Sequence, residues 1–309
     1  MTSELQGPHI VAVLGPTASG KSDLGLAIAE QLQGEIICCD SMQVYRGLNI
    51  GTGKPTSAEQ ARVSHHLLDV ADPDQAFHAG AWAKQAAEHI VEIVSRGHVP
   101  VVVGGTGLYF RALTQGLFDA PPSSPEIRAQ HKAEADALGI PALHARLAQV
   151  DPAAAAKISP TDLVRTSRAL EVWQQTGVPI TEHWRRARPA RPLRCYRIIF
   201  DRPLPLLRQL IDKRVDVMMK AGFLEEVRHL HGAGYAGARA MSGLGYKELS
   251  LHLAGTWDLD AAVAEIKKNT AAYARRQRTW FRSESAELSV PDTPDLQDVV
   301  SQIRGWIHG

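Results

Sequence analysis

Apolar residues in this chain fall into two kinds of run. Short, nearly unbroken runs have the length of strands buried on both faces: HIVAVL at 9–14, EIICC at 35–39, VPVVV at 99–103 and CYRIIFD at 195–201. HHLLDV, ending near Asp69, reads as one more strand. Between these runs the apolar positions recur at helical spacing. Leu24, Ala27, Ile28 and Leu32 mark a helix over 21–33, and further helices are predicted over about 79–96 and after GGTGLYF. Strands alternating with helices predict an α/β fold, a parallel sheet with helices on both faces. Ligands of such sheets sit at the carboxyl ends of the strands. Residues 15–22, Asp40 and Thr106 all fall at those ends, which puts them around one crevice.

The alternation stops at DAPPSSPE, 119–126. From there to about 185 only helices are predicted, over 125–138, 141–149 and 161–176, the last stopped by Gly177. The expected organisation is an α/β core built from 1–120 and 186–309, with an all-helical insertion at 121–185. Past the strand at 195–201 come helices over about 203–220 and 222–231, a loop GARAMSGLGYKE, a long helix over about 258–281 ending in RRQRTWFR, and a last strand and helix.

Composition narrows the classes. The chain has 309 residues, 44% hydrophobic and 22% charged, which fits a globular protein. A net charge of +1 gives no global attraction to polyanions, so any nucleic-acid site must come from local clustering. Three cysteines, two of them adjacent in an apolar run, fit buried thiols better than disulfides or a zinc site. MTSELQGPH lacks the basic start of a signal peptide, and no apolar stretch is long enough to span a membrane. A cytoplasmic monomer is expected.

The chemistry starts at GPTASGKS: Gly15, Pro16, Thr17, Ala18, Ser19, Gly20, Lys21 and Ser22. Placed between a strand and a helix, this spacing forms a phosphate-binding loop. Backbone N–H groups and the helix N-terminus face an anion, the lysine reaches its oxygens, and the serine can ligate Mg2+. A nucleoside triphosphatase of this type needs an acid at the end of a second strand. Here VPVVV runs into Gly104 and Gly105 instead; Asp40 is the strand-end acid close in sequence, and Asp69 is a second.

GPTASGKS, DSMQVYRGLNIGTGKPT, HHLLDVADP, VVVGGTGLYFRAL, RTSRALEVW and RRQRTWFR occur in the order and spacing of the bacterial tRNA dimethylallyltransferases, also called tRNA isopentenyltransferases. The resemblance runs from about residue 8 to 285. It implies transfer of the dimethylallyl group of dimethylallyl diphosphate to the N6 amine of the adenosine on the 3′ side of the anticodon. The tRNAs would be those reading codons that begin with U, and diphosphate would leave. The loop at 15–22 would then hold a leaving group, with Mg2+ at Ser22. Asp40 is implied as the base that takes the amine proton, Thr17 as a residue beside the reacting groups, and Arg214 as a diphosphate ligand. Contacts to the tRNA anticodon stem-loop are implied at Asp40, Ser41, Met42 and Gln43, at Thr106 and Arg128, at Val164, Arg165, Thr166, Ser167 and Arg168, and at Ser242, Gly243, Leu244, Gly245, Tyr246 and Lys247. The target base must leave its stack to reach a pocket.

Two arginine clusters remain. RRARPARPLR at 185–194 reads as an exposed linker that is either solvated or in contact with phosphates. In YARRQRTWFR one face is expected on the sheet, with Arg275, Arg276, Arg278 and Arg282 turned to RNA or diphosphate. His65 and His66 are neighbours on a strand and face opposite ways, so they are read as structural. An isopentenyltransferase of free adenine nucleotides is the alternative closest in chemistry. A small-molecule kinase and a non-catalytic RNA-binding protein are more distant ones.

Overall fold

The computed structural model describes residues 7–118 and 121–309; the opening MTSELQ and the first two residues of DAPPSSPE lie outside the described residues. The chain forms two compact units, one of residues up to Thr114 together with Ala190–Gly309, the other of Gln115–Pro189.

In chain order the elements are β1 (His9–Leu14), α1 (Lys21–Gln31), β2 (Gly34–Cys39), α2 (Ser57–Arg62), β3 (His65–His66), α3 (Ala79–Ser95), β4 (Val99–Gly104) and α4 (Gly107–Gln115). The second unit contributes α5 (Pro125–Leu138), α6 (Ile140–Val150), α7 (Pro152–Ala155), α8 (Leu163–Thr176) and α9 (Ile180–Arg186). The first unit then resumes with β5 (Arg194–Phe200), α10 (Leu204–Lys220), α11 (Phe223–Gly232), a 3-10 turn (Arg239–Ser242), α12 (Tyr246–Leu253), α13 (Leu259–Phe281), β6 (Leu288–Val290) and α14 (Leu296–His308).

The strands form one sheet in the order β3-β2-β4-β1-β5-β6. Every pairing among the described residues is parallel, with Val11 opposite Val101 on one side of β1 and Tyr196 on the other. Period-two alternation divides the central strand between two cores. Ile10, Ala12 and Leu14 face one, which includes residues of α3, α4 and α10–α13; Val11 and Val13 face the other, beneath α1 and α14. On α3 the fully buried Trp82 adds apolar area while its indole N–H donates to the Cys38 carbonyl at 2.9 Å, so no polar group is stranded. Because β1, β2 and β4 lie side by side and parallel, their carboxyl ends bring the 15–22 loop, Asp40 and Thr106 together.

The second unit has its own core of Leu143, Leu147, Leu170 and Val172. Buried Asp151 caps α7 through the Ala154 N–H and accepts both the N–H and the hydroxyl of Thr181 on α9.

HHLLDV is shorter as a strand than its sequence suggests. Only His65 and His66 pair with β2, because Leu67 and Asp69 take positive φ of 64° and 54° and turn the chain out of the sheet. The loop expected at 237–248 also contains structure, the 3-10 turn and the start of α12. Glycine punctuation hides that start. Gly245 sits at φ 85° and its N–H is capped by the Glu248 carboxylate at 2.8 Å.

Candidate active site

The phosphate loop joins β1 to α1. Ala18 and Gly20 take positive φ, and Gly20 ends the loop without a side-chain cap, so the first N–H groups of α1 stay available to an anion. The Lys21 ammonium donates to the Pro16 carbonyl at 3.2 Å. Burial pulls its pKa down to about 8, the Arg214 charge adds to this, and Asp40 and Cys39 oppose it. Ser19 is buried, and its hydroxyl has no hydrogen-bond partner among the described residues.

Asp40 follows the last residue of β2. Its Oδ1 accepts from the Met42 N–H at 2.8 Å and the Gln43 N–H at 3.3 Å, which closes the DSMQ turn and leaves Oδ2 uncommitted among the described residues. Thr106, beyond β4, accepts the Ser41 N–H on Oγ1 at 3.0 Å, and its own N–H donates to the Cys39 carbonyl at 3.2 Å. These bonds lock the ends of β2 and β4 together.

A second glycine-containing segment, Asn49–Lys54, closes another side of the site. Glu226 of α11 holds it by accepting the N–H groups of Asn49, Ile50 and Gly51 at 3.0, 2.7 and 3.1 Å, and it also accepts the Tyr246 hydroxyl at 2.7 Å. Gln43 donates to the carbonyls of Thr52 and Gly53, and Arg214 of α10 donates to that of Thr52 at 3.4 Å. Gly53 suits glycine: its φ is 60°, and a Cβ there would lie 2.1 Å from Arg214 Nη2 and displace that guanidinium. Burial lowers the pKa of Arg214, against the pull of Asp40 and Asp23.

These segments surround a cavity of about 380 Å³, within the range of small-ligand sites. Its lining combines Lys21, Ser22, Arg214, Asp40 and Thr17 with the apolar Ile211, Val215, Met218, Phe223 and Ile266. Ser41, Met42, Gln43, Ser242, Gly243, Leu244 and part of Tyr246 also line it. Tyr246 is otherwise a core residue, whereas Lys247 is exposed. Such a cavity can hold an anion and a short hydrocarbon together, with a carboxylate in the same wall.

The second unit arranges its residues differently from expectation. Val164 is 79% exposed and the Arg165 side chain 66%. Thr166 and Ser167 do not offer their side chains to a partner. They lie on the face of α8 packed into its own unit, where Thr166 is fully buried and the Ser167 hydroxyl meets His131 Nδ1 at 2.9 Å. Arg168 and Arg128 both converge on Glu171, which is fully buried and also accepts the Ser124 N–H. Burial alone would push the Glu171 carboxyl up; Arg168, the Ser124 N–H and Arg128 outweigh it and hold the carboxyl below its usual range.

In YARRQRTWFR the division of faces is only partly as expected. Phe281 is buried, and Trp280 carries the Arg111 guanidinium 4.1 Å above its ring. Arg278 and Arg282 both pair with Asp201, Arg282 staying exposed as it does so; Arg275 and Arg276 are exposed as well, with Arg276 on the cavity wall. Burial and the Asp40 charge push the Tyr273 phenol up to about 12. His65 bonds the Val63 carbonyl and His66 the Glu35 carboxylate, separate partners that suit structural roles. Sequence reasoning missed Glu226 and Gln277. Gln277 had a usable signal: it falls on the buried stripe Ala274–Gln277–Phe281, where an amide has to find partners.

Residues 43–284 match the sequence profile of a family described as IPP transferase. The chain is 45% identical over 307 residues to a tRNA dimethylallyltransferase of Geobacter metallireducens, covering 99% of each. It is 47% identical over 279 residues to that of Geobacter sulfurreducens, covering 90% of each. Among solved structures it resembles the full-length tRNA isopentenylpyrophosphate transferase of Bacillus halodurans, with TM-score 0.71, 34% identity, and 98% and 96% of the two chains covered. It shares the fold of a eukaryotic dimethylallyltransferase acting on tRNA, at TM-score 0.78 and 24% identity over 98% of this chain and 80% of that one. With a phosphate loop, a strand-end carboxylate and an apolar chamber in one cavity, and a profile match over most of its length, the chain belongs to the IPP transferase family.

Proposed function

We propose that the protein transfers the dimethylallyl group of dimethylallyl diphosphate to the N6 amine of the adenosine 3′-adjacent to the anticodon, in tRNAs reading codons that begin with U. The observation that carries this reading is one cavity that joins Lys21 and Arg214 to an apolar wall, with Asp40 beside them. The adenine N6 attacks C1 of the dimethylallyl group. The C–O bond breaks, and its electron pair leaves on the diphosphate. Lys21, Arg214 and the free N–H groups at the start of α1 stabilise that developing charge. An adenine amine is a weak nucleophile, and the Asp40 carboxylate accepts its proton as the new C–N bond forms. Thr17 lines the same cavity, beside both reactants in this reading. Ile211, Val215 and Met218 receive the hydrocarbon and keep water from the reacting carbon.

Mg2+ fits the donors present. Ser22 at the start of α1 lines the cavity and is a hard oxygen donor of the kind that Mg2+ takes alongside phosphate oxygens. When bound, the ion would neutralise charge on the diphosphate. On the RNA side, the turn at Asp40–Gln43, Thr106 and Ser242–Lys247 would meet the anticodon loop. In the helical insertion the contacts fall to Val164, Arg165, Arg128 and Arg168. No helix among the described residues is long and apolar enough to cross a membrane. This reading has the enzyme acting as a monomer in the cytoplasm.

The test incubates purified protein with Mg2+, dimethylallyl diphosphate and unmodified tRNA reading a codon that begins with U, then digests the tRNA for mass spectrometry. Dimethylallyl-adenosine is the expected product. In Asp40→Asn the Oδ1 bonds that shape the turn survive and the base is lost, so kcat should fall by about 10²- to 10⁴-fold. Product on free AMP but not on tRNA would replace the proposal with a nucleotide prenyltransferase, and turnover of ATP without prenylation would end it.

A further inference from the structure

We propose that Gln277 is a positioning residue for this reaction, its side-chain amide clamping the phosphate loop to the turn that carries Thr106; the role rests on the function proposed above. Gln277 Oε1 accepts the Thr17 N–H at 2.8 Å, and Nε2 donates to the Gly105 carbonyl at 2.8 Å. The amide is 7% exposed and lies between buried Ala274 and Phe281 on α13. Its two ends therefore tie together the residues that follow β1 and β4. Thr106, next to Gly105, accepts the Ser41 N–H and donates to the Cys39 carbonyl, so the tie continues to the residues on either side of Asp40.

Two consequences follow from this geometry. First, the Thr17 N–H is turned into the protein and is not offered to the diphosphate. That loop position contributes its side chain to the cavity instead, and Thr17 lines it. Second, the clamp leaves no room for change at Gly105, where a Cβ would come within 2.3 Å of Gln277 Nε2. Only a side chain with a donor and an acceptor at the length of glutamine satisfies both backbone groups. Removing it would strand the half-buried Thr17 N–H and the buried Gly105 carbonyl, and each would seek a new partner by shifting its loop.

The test compares the wild type with Gln277→Met, which keeps length and apolar fit, and Gln277→Asn, which keeps the amide but cannot span both groups. Each is assayed for tRNA prenylation with folded fraction and active fraction measured alongside. The clamp predicts that kcat falls about 10- to 100-fold in both variants, as small misplacements of reacting groups do. KM for dimethylallyl diphosphate should rise while KM for tRNA stays unchanged. A smaller active fraction with unchanged kcat and KM per active molecule would mean a merely structural role and overturn the proposal. An independent arm needs no variant. Amide exchange followed by NMR on the ligand-free wild type should show the Thr17 N–H protected, and rapid exchange at Thr17 would likewise overturn the clamp. If wild-type protein prenylates no RNA, the function is wrong, while the exchange result still decides whether the clamp exists.

Discussion

An ammonium drawn into a cavity beside a guanidinium gives up its proton sooner than one in water, and Lys21 stands in that position. With its pKa brought from 10.5 to about 8, it holds its proton less tightly in the folded chain than in the unfolded one. Between about pH 8 and 10.5 the unfolded state therefore binds more protons, and this group makes stability rise with pH across that window. Diphosphate binding acts in the opposite sense, because an anion beside Lys21 restores the charged form. Donor binding should take up close to one proton at pH 8.5 to 9, and affinity should weaken as pH climbs past 8. Calorimetry in two buffers of different ionisation enthalpy measures the uptake. A binding enthalpy independent of buffer would refute it, and Lys21→Met should abolish the uptake while weakening binding by at least tenfold.

At the scale of elements, the site depends on segments without regular structure held by single side chains from helices. The clearest is Asn49–Lys54, anchored through three N–H groups to the Glu226 carboxylate. Glu226→Ala leaves those groups without their acceptor and should cost about 2 kcal/mol or more. The amides of Asn49, Ile50 and Gly51 should then exchange faster than those of β1 in hydrogen-exchange mass spectrometry. Equal protection of the segment in both proteins would contradict the anchoring. The sequence shows such an arrangement poorly. Strands β1, β2, β4 and β5 are legible because burial on both faces writes a run of Val, Ile and Leu into the chain, and the phosphate loop is legible because its backbone demands glycine at fixed spacing. Glu226 sits in FLEEVRHLHG, where an acid near a helix start looks like any solvated charge, and the three N–H groups it holds lie more than 170 residues away in sequence. Thr166 and Ser167 entered only through the resemblance, and nothing local in the sequence shows that the pitch of α8 turns their side chains inward. Asp40 and Arg214 became readable only by resemblance; nothing in their local sequence separates them from a cap or a surface charge.

At the scale of the whole molecule, two units with separate cores can fail separately. Glu171 belongs wholly to the helical unit, where it gathers Arg128, Arg168 and the Ser124 N–H. Glu171→Ala should release both arginines around an emptied site and destabilise that unit by several kcal/mol, about 3 by the usual cost of breaking a buried pair. Affinity for tRNA should drop at least tenfold while affinity for dimethylallyl diphosphate is kept; titrations of each ligand would show this, and equal loss of both would contradict it. The central sheet has a different use. Its free thiols, Cys38 and Cys39 in β2 and Cys195 in β5, are all buried. Burial pushes the first two far up, with Asp40 adding to both, and takes Cys195 up to about 12. A disulfide reagent in the solvent then finds no thiolate until the sheet itself opens. The chain thus carries its own chemical stopwatch: the rate at which a chromogenic reagent consumes Cys39 and Cys195, the two thiols that do not line the cavity, counts openings of the sheet. Ligand held at a hundred times its Kd should slow that count by about a hundredfold, so affinity for a colourless prenyl donor can be read as the colour of a cuvette.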